Sequence, residues 1–302
     1  MNRIKINAGG SASGVARKGD TVMRRLVYII LAAAFFVSFA GCGGTELEET
    51  EANAVVTFFK AGKADAAVIQ AGGSVILVDT GRAKNADELI GSLEALGVTR
   101  IDVLLLSHFD KDHVGGAADI LRYFDVGAVY QSNRPKDSDE YAAYIAALEE
   151  RGVEPLTVSD TETLYLGGLT VVIDGPARAE YDKDPSNNSS LIASVTCGEE
   201  TVLFAGDAQD ARLREYLASY ERSEGHIILK VPYHGHWQDM LPAFIEAVRP
   251  DAAVLSCSKS EPETDERERT EALLADAGAA VCRTFEGDIT LLLTADGYSI
   301  TQ

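Results

Sequence analysis

Apolar and polar positions along this chain fall into two alternating kinds of run. Ala54–Phe59, Ala66–Gln70 and Ser74–Val78 are short β-branched or aromatic stretches separated by glycine-containing turns, which predicts consecutive antiparallel strands. The period then changes. Over Asn85–Leu96, Leu89, Leu93 and Leu96 recur at helical spacing behind Asp87 and Glu88, as in a helix with an acidic first turn. Ile101–Leu106 is apolar without a break, the pattern of a strand covered on both faces. Helices are predicted over Gly116–Phe124 and Asp139–Arg151, with a strand at Ala128–Tyr130 between them. A second series begins with strands near Thr163–Leu166, Leu169–Ile173, Leu191–Thr196 and Thr201–Ala205, followed by a helix over Gln209–Tyr220. It continues with strand Ile227–Val231, helix Asp239–Val248, strand Ala252–Ser256 and helix Asp265–Ala277. Strands near Ala280–Thr284 and Ile289–Thr294 close it, and the charged stretch Ser258–Glu268 reads as a surface loop. Two β-rich series, each with its own helices, predict an α+β fold: two packed sheets with helices outside, one domain of two halves over residues 54–302.

The N-terminal region breaks this pattern. Met23-Arg24-Arg25 precedes an apolar run from Leu26 to Ala40, which ends in Phe39-Ala40-Gly41-Cys42. A basic start, an apolar stretch and small residues match a secretory signal peptide, and the run is shorter than the ~20 residues a membrane-spanning helix needs. Cys42 directly after Ala-Gly resembles the lipobox of bacterial lipoproteins, in which the cysteine is lipidated; the plainer reading is a signal anchor with an incidental cysteine. Residues 1–41 are therefore expected to be a leader, with Met23 the preferred start. Residues 42–53 form a Glu-rich acidic tether. The expected location is outside the cell membrane, held there by lipid on Cys42.

Composition sharpens this picture. The 302 residues carry 47 acidic and 27 basic side chains, a formal charge of −20. Removing residues 1–41 takes away six basic residues and one acidic one, leaving 46 acidic against 21 basic. So acidic a chain argues against tight nucleic-acid binding, which needs Lys and Arg to neutralise phosphates. Collagen-like, disulfide-scaffold and disordered classes are excluded by 46% apolar and 25% charged residues. Four cysteines without a C-x-x-C pair give no zinc-ribbon signal, and Cys197, Cys257 and Cys282 read as buried apolar residues. A monomer is expected.

Chemistry concentrates at strand ends. After the buried strand comes Ser107-His108-Phe109-Asp110-Lys111-Asp112-His113-Val114-Gly115-Gly116, with four potential ligands inside six residues. His108 and Asp110 project to one side of an extended loop, whereas Asp112 and His113 diverge, so the set suits two neighbouring metal ions. The competing reading makes Asp110 or Asp112 a helix N-cap. Gly206-Asp207 ends the strand Thr201–Ala205, where a carboxylate can bridge two cations or cap the following helix. Lys230-Val-Pro-Tyr-His234-Gly-His236 is again a strand running into a loop. Of five histidines, four lie in these two loops and only His226 stands apart, a distribution that packing does not explain.

His108-x-Asp110-x-Asp112-His113 resembles the H-x-H-x-D-H signature of the metallo-β-lactamase superfamily with Asp at the second His. That replacement resembles the variant found in the C-terminal hydrolase domain of the competence protein ComEC and its soluble relatives. The resemblance spans nearly all of residues 54–302. Val56-Thr-Phe-Phe…Gly62…Asp65-Ala66 resembles the opening strand and glycine turn, and Val78-Asp79-Thr80-Gly81 the Asp-Thr-Gly turn. Asn187-Asn188-Ser189-Ser190-Leu191 resembles the Asn-Asn-x-Ser-Leu segment, Gly206-Asp207 the bridging-aspartate motif, and Lys230-Val-x-x-His234-Gly the His-His-Gly motif. Several positions depart: Lys60 and Lys63 stand where the family has Asp and Gln, Tyr233 replaces the first His of the pair, and His236 stands where it has Ser. Around Lys259–Glu263 charged residues replace the family's closing Asn-x-Tyr-Gly-His-Pro segment.

The resemblance implies a four-layer αββα sandwich with two divalent cations, Zn²⁺ or Mn²⁺, between the sheet edges. His108, Asp110, Asp112, His113, Asp207 and His234 are the implied ligands, with Asp112 and His234 in the catalytic role. The implied reaction is hydrolysis by hydroxide generated at the metal, without a Ser or Cys nucleophile. Asp79 is expected to orient a ligand His through its other ring nitrogen, or to be only a turn residue. Asn187, Asn188, Lys230 and His236 are expected behind the ligands or facing substrate; a strand-end Lys230 is otherwise a solvated lysine. Phosphodiester hydrolysis is the family-implied activity, although the acidic surface suits a small substrate better than DNA. The alternative is a lipid-anchored metal- or ligand-binding protein without turnover, and a weaker third reading is an antibiotic-degrading β-lactamase.

Overall fold

The computed structural model describes residues 53–259 and 265–302. The expected leader, Cys42 and all of the acidic tether except Asn53 lie outside the described residues. Two sheets form the centre. β1 (Ala54–Phe58), β2 (Ala66–Ala71), β3 (Ser74–Thr80), β4 (Arg100–Leu106), β5 (Asp125–Gln131) and β6 (Leu156–Thr157) join β14 (Ile289–Thr294) and β15 (Gly297–Thr301) in the order β15-β14-β1-β2-β3-β4-β5-β6. The second sheet contains β7 (Thr161–Leu166), β8 (Leu169–Asp174), β9 (Ile192–Cys197), β10 (Glu200–Phe204), β11 (Ile227–Lys230), β12 (Ala252–Leu255) and β13 (Ala280–Arg283), ordered β13-β12-β11-β10-β9-β8-β7. Each sheet has an antiparallel portion and a parallel one: β3 to β6 run parallel in the first, β10 to β13 in the second.

Helices α1 (Ala86–Ala95), α2 (Ala117–Tyr123) and α3 (Asp139–Arg151) cover the outer face of the first sheet. Helices α4 (Asp210–Ser219), α5 (Leu241–Val248) and α6 (Asp265–Asp276) cover the second. The result is the αββα layering. Sequence pattern dictates where the apolar surface goes. Along β4, Val103 and Leu105 enter the core between the sheets, while Leu104 and Leu106 pack beneath the helices. This two-sided burial is why the strand is apolar throughout. The same alternation in β11 sends Ile228 between the sheets and Leu229 under the helices. Lys230 therefore turns inward, at the strand end, which has consequences for the site.

Most predicted elements lie within a residue or two of the observed ones. β15 was not anticipated, because five residues opening with Gly297 carry little pattern; Tyr298 and Ile300 nevertheless pack against the inter-sheet core. The helix predicted from Asp265 begins there, and the surface loop expected over Ser258–Glu268 overlaps its first turn. Cys197 and Cys257 are buried as expected, whereas Cys282 is half-buried.

Candidate metal centre

The carboxyl ends of parallel strands β3, β4, β10 and β11 converge on one edge of the sandwich and carry the histidines and most of the aspartates of the site, with Asp65 joining them from the turn before β2. The loop after β4 is locked to the turn after β3. Thr80 N and Thr80 Oγ1 both donate to His113 O at 2.8 Å, Asp65 N donates to Asp112 O at 3.0 Å and Gly81 N to Asp65 O at 2.8 Å. The glycine pair permits this contact. A Cβ on Gly115 would meet Lys111 O at 2.4 Å and Ala83 N at 2.5 Å, and one on Gly116 would meet Thr80 O at 2.5 Å. Asp79, held at φ 55°, accepts from Ser107 N at 2.8 Å and Ser107 Oγ at 2.7 Å. The same carboxylate takes the Nδ1–H of His113 at 2.8 Å. That bond fixes the tautomer and aims His113 Nε2 into the space between the sheets.

The second sheet answers from the other side. β10 delivers Asp207, whose N–H bonds Ser190 Oγ at 3.2 Å. After β11 the chain makes a tight turn, Pro232–Gly235, with Tyr233 at φ 50° and His234 at φ 53°. Two successive side-chain-bearing residues in the left-handed region are strained, a feature concentrated at functional sites. The turn carries His234 into the interior, where its Nδ1–H donates to Ser256 O at 3.0 Å and its Nε2 faces Asp207 Oδ2 at 3.3 Å.

Asp207 is the meeting point. His113 Nε2 lies 3.3 Å from its Oδ1, opposite the His234 contact to Oδ2, and the rings of His108 and His113 are 4.1 Å apart. Three groups of ligand atoms lie within 4.8 Å of one another: His108–His113–Asp207, Asp65–Asp207–His234 and Asp65–Asp79–His113. Buried and lacking a hydrogen-bond partner are His108 Nε2, His113 Nε2, His234 Nε2, Asp207 Oδ1 and Asp65 Oδ1. Orphaned buried polar atoms are costly and rare. Five converge here, three imidazole nitrogens and two carboxylate oxygens, a donor set that could hold a divalent cation.

Electrostatics agree. Burial, together with the neighbouring His113, drives His108 down to about 4, so it stays neutral. Burial also pushes His113 down, but Asp207, Asp79 and Asp65 outweigh it and hold its pKa well above that of a free histidine. Asp207 resists the upward push of burial because His234 and His113 flank it, and it stays ionised. Behind these groups, buried Lys230 bonds Asp65 and donates to Gly206 O at 3.0 Å. Despite burial, which lowers it, Lys230 is held protonated by Asp65 and Asp207. Burial raises Asp65, but Lys230, then His234 and His113, bring it below its usual range. This ion pair spans the two sheets.

The structure thus gathers His108, His113, Asp207 and His234, with Asp79 directly behind His113. Asp110 and Asp112 have other partners. Asp110, expected as a ligand, bonds Lys136 and Ser186, and lies 3.8 Å from His108 Nε2. Asp112, expected as ligand and catalytic group, accepts from Arg82 at 3.1 Å and belongs to none of the three ligand groups. Neither is an N-cap: Gly116 caps α2, and Gln209 rather than Asp207 precedes α4. Asn187 lines the cleft above the site, whereas Asn188 is buried, donating to Lys183 O at 2.9 Å and accepting from Arg212 N at 3.0 Å, so it secures a loop to α4. Lys230 is no solvated lysine, and it faces Asp65 instead of solvent. His236 accepts a hydrogen bond from Lys63 at 2.9 Å. Asp65 was missed as a site residue. Its signal was its place after Gly62 in the opening turn, which its neighbours there, Lys60 and Lys63, obscured.

The metal-ligand groups open to a cleft of about 410 Å³ lined by Asp110, Asp112, Asn187, Asp207, Tyr233 and His234 among others. Among the described residues no helix is long and apolar enough to cross a membrane.

Comparison with known proteins places these features in a family. The sequence is 27% identical over 176 residues to ComE operon protein 3 of Bacillus subtilis (strain 168), covering 57% of this chain and 22% of that protein. It is 28% identical over 207 residues to Recombination protein 2 of Haemophilus influenzae, covering 67% of this chain and 24% of the relative. The chain thus matches less than a third of the length of these curated relatives. In structure it resembles the metallo-beta-lactamase fold protein YhfI of Bacillus subtilis, with a TM-score of 0.51 at 12% identity over 76% of this chain and 95% of that one. The sequence signature of the Metallo-beta-lactamase superfamily matches residues 60–259, more than half of the chain. With that match, the αββα layering and the clustered histidines and aspartates, the chain belongs to the metallo-β-lactamase superfamily.

Proposed function

We propose that this protein is a metal-dependent hydrolase that holds two divalent cations, zinc or manganese, and cleaves small phosphodiesters. The observation that carries the reading is the convergence of five buried, unpartnered ligand atoms around Asp207, its own Oδ1 among them. His108, His113, His234 and Asp207 would hold the cations. When bound, such ions supply Lewis acidity and bring the pKa of a water toward neutrality.

The chain's own groups prepare that chemistry. Asp79 holds the His113 proton at Nδ1, and Ser256 O holds that of His234 at Nδ1, so both Nε2 atoms face inward. Burial keeps His108 neutral and therefore able to donate its lone pair. Asp207 stays ionised between two imidazoles and offers both oxygens. The dry inter-sheet setting strengthens each of these interactions. Asp110 and Asp112 sit at the mouth, held by Lys136 and Arg82, on the path a substrate takes to the centre. Those two cation contacts are also what favours the second reading, a metal-binding protein without turnover, because they occupy carboxylates the ligand set would use.

The test is hydrolysis of bis-(p-nitrophenyl) phosphate in the presence of Mn²⁺ or Zn²⁺. Turnover by the wild type and its loss in Asp207→Ala support the hydrolase; retained metal with no turnover on phosphodiesters, esters or DNA moves the assignment to the binding reading. Export and anchoring through Cys42 are part of the proposal on sequence grounds, and Cys42→Ala is expected to release the protein from the membrane fraction.

A further inference from the structure

Three departures from the family pattern meet in space. Lys63 precedes β2 in the first sheet; Tyr233 and His236 follow β11 in the second. Lys63 Nζ nevertheless lies 2.9 Å from His236 Nε2, across 173 residues of sequence. The ammonium stands 5.9 Å from the centre of the Tyr233 ring, and the Tyr233 and His236 rings are 4.9 Å apart. The backbone of Lys63 is also pinned, since Arg82 donates to Lys63 O at 3.3 Å and to Asp112 at 3.1 Å.

This assembly forms one wall of the cleft, where Lys63 and Tyr233 line the opening beside Asp207 and His234. Its charge is available. The neighbouring cations Lys136 and Arg82 each bond a carboxylate directly, Asp110 and Asp112, whereas Lys63 bonds His236 Nε2, with Glu266 on the far side of that ring, 3.4 Å from Nδ1. An ammonium with a neutral partner at the rim of a site keeps its pull on an anion.

We propose that Lys63, seated on Tyr233 and His236, is the specificity-determining residue that binds a phosphoryl oxygen of the substrate. The inference rests on the phosphodiester reading above and adds the group that selects the anion. Lys63 holds a non-bridging oxygen, Tyr233 and His236 fix the lysine's direction, and a neutral ester gains nothing from the wall.

Equilibrium binding of inorganic phosphate to the metal-loaded full chain, measured by calorimetry with metal content assayed in parallel, tests this without turnover. Lys63→Met and Lys63→Gln are expected to weaken phosphate about tenfold or more, the loss of one charge-assisted hydrogen bond, with metal content unchanged. Arg151→Met, a surface charge at the end of α3, serves as the control and is expected to bind phosphate like the wild type. Phosphate affinity of both Lys63 variants within about twofold of wild type overturns the inference. Loss of metal from both variants overturns it too, because Lys63 then acts on the ligands and not on the anion. Failure of the hydrolase reading itself shows separately, as a metal-loaded wild-type protein without turnover on bis-(p-nitrophenyl) phosphate, and the Lys63 contrast in phosphate binding is still read in that case.

Discussion

The ion pair between Asp65 and Lys230 makes the strongest claim about what holds the two sheets in register behind the site. Lys230 is 3% exposed and Asp65 7%, each brought by a different sheet. Replacing Lys230 by Met preserves length and apolar volume but leaves the Asp65 carboxylate buried, with Asp207 as a like-charged neighbour. Breaking a buried pair from one side costs about 3–5 kcal/mol. At roughly 2–4 °C per kcal/mol for a domain of this size, Tm should fall by about 6–20 °C. Removing both charges is a different perturbation. Asp65→Asn with Lys230→Met removes the Asp65 charge and leaves Asp207 still flanked by His113 and His234, so the double variant should recover most of the loss and show a coupling energy of about 2 kcal/mol or more. The assay is urea and thermal unfolding of the chelator-treated protein, so that metal linkage does not enter. A Lys230→Met variant that unfolds within about 2 °C of wild type, or a double variant as unstable as the sum of the singles, would refute the reasoning.

Metal uptake should release protons. His113 carries one at neutral pH in the metal-free protein, because Asp207, Asp79 and Asp65 overcome the burial that lowers it, and a ligand nitrogen must be bare. Calorimetric titration of Zn²⁺ at pH 7 in buffers of different ionisation enthalpy should show about one proton released, and affinity falling with decreasing pH; no release contradicts the His113 assignment. His108 gives the opposite sign to stability. Its folded pKa is depressed to about 4 from 6.5, so its contribution is complete above 6.5 and is lost as pH falls from there toward 4. Denaturation midpoints of the metal-free protein at pH 7.5 and pH 5 should therefore converge in His108→Gln relative to wild type. Gly115→Ala pushes a methyl into backbone at 2.4–2.7 Å and should destabilise by about 1–3 kcal/mol. Equal stability would mean that the loop after β4 is not clamped to Thr80–Ala83.

Much of this architecture was legible in the sequence because period and burial agree. The unbroken apolar run of β4 announced a strand covered on both faces, and four of the five histidines marked the loops that converge. The Asp-Thr-Gly turn left Asp79 either behind a histidine or a plain turn residue, and its bond to His113 became visible only in three dimensions. What escaped were relations between sheets. Whether Asp112 turns toward the histidines or toward Arg82 depends on a residue 30 positions away. Lys230 reads as a solvated strand-end lysine until the alternation of β11 sends it between the sheets toward Asp65. The meeting of Lys63 with His236 likewise exists only once the two halves pack face to face. Local pattern specifies elements; the pairing of charges across an interface depends on packing that no single segment encodes.

The central claim is that the buried nitrogens of His108, His113 and His234 and the carboxylate of Asp207 form a divalent-metal centre. Elemental analysis of the purified protein after equilibration with Zn²⁺ and exhaustive dialysis tests it most directly, with Asp207→Ala beside it. The account expects about two metal ions per wild-type chain and a loss of metal in the variant, whose fold is retained. A wild-type protein that keeps no metal, or an Asp207→Ala protein that keeps as much as the wild type, would contradict it.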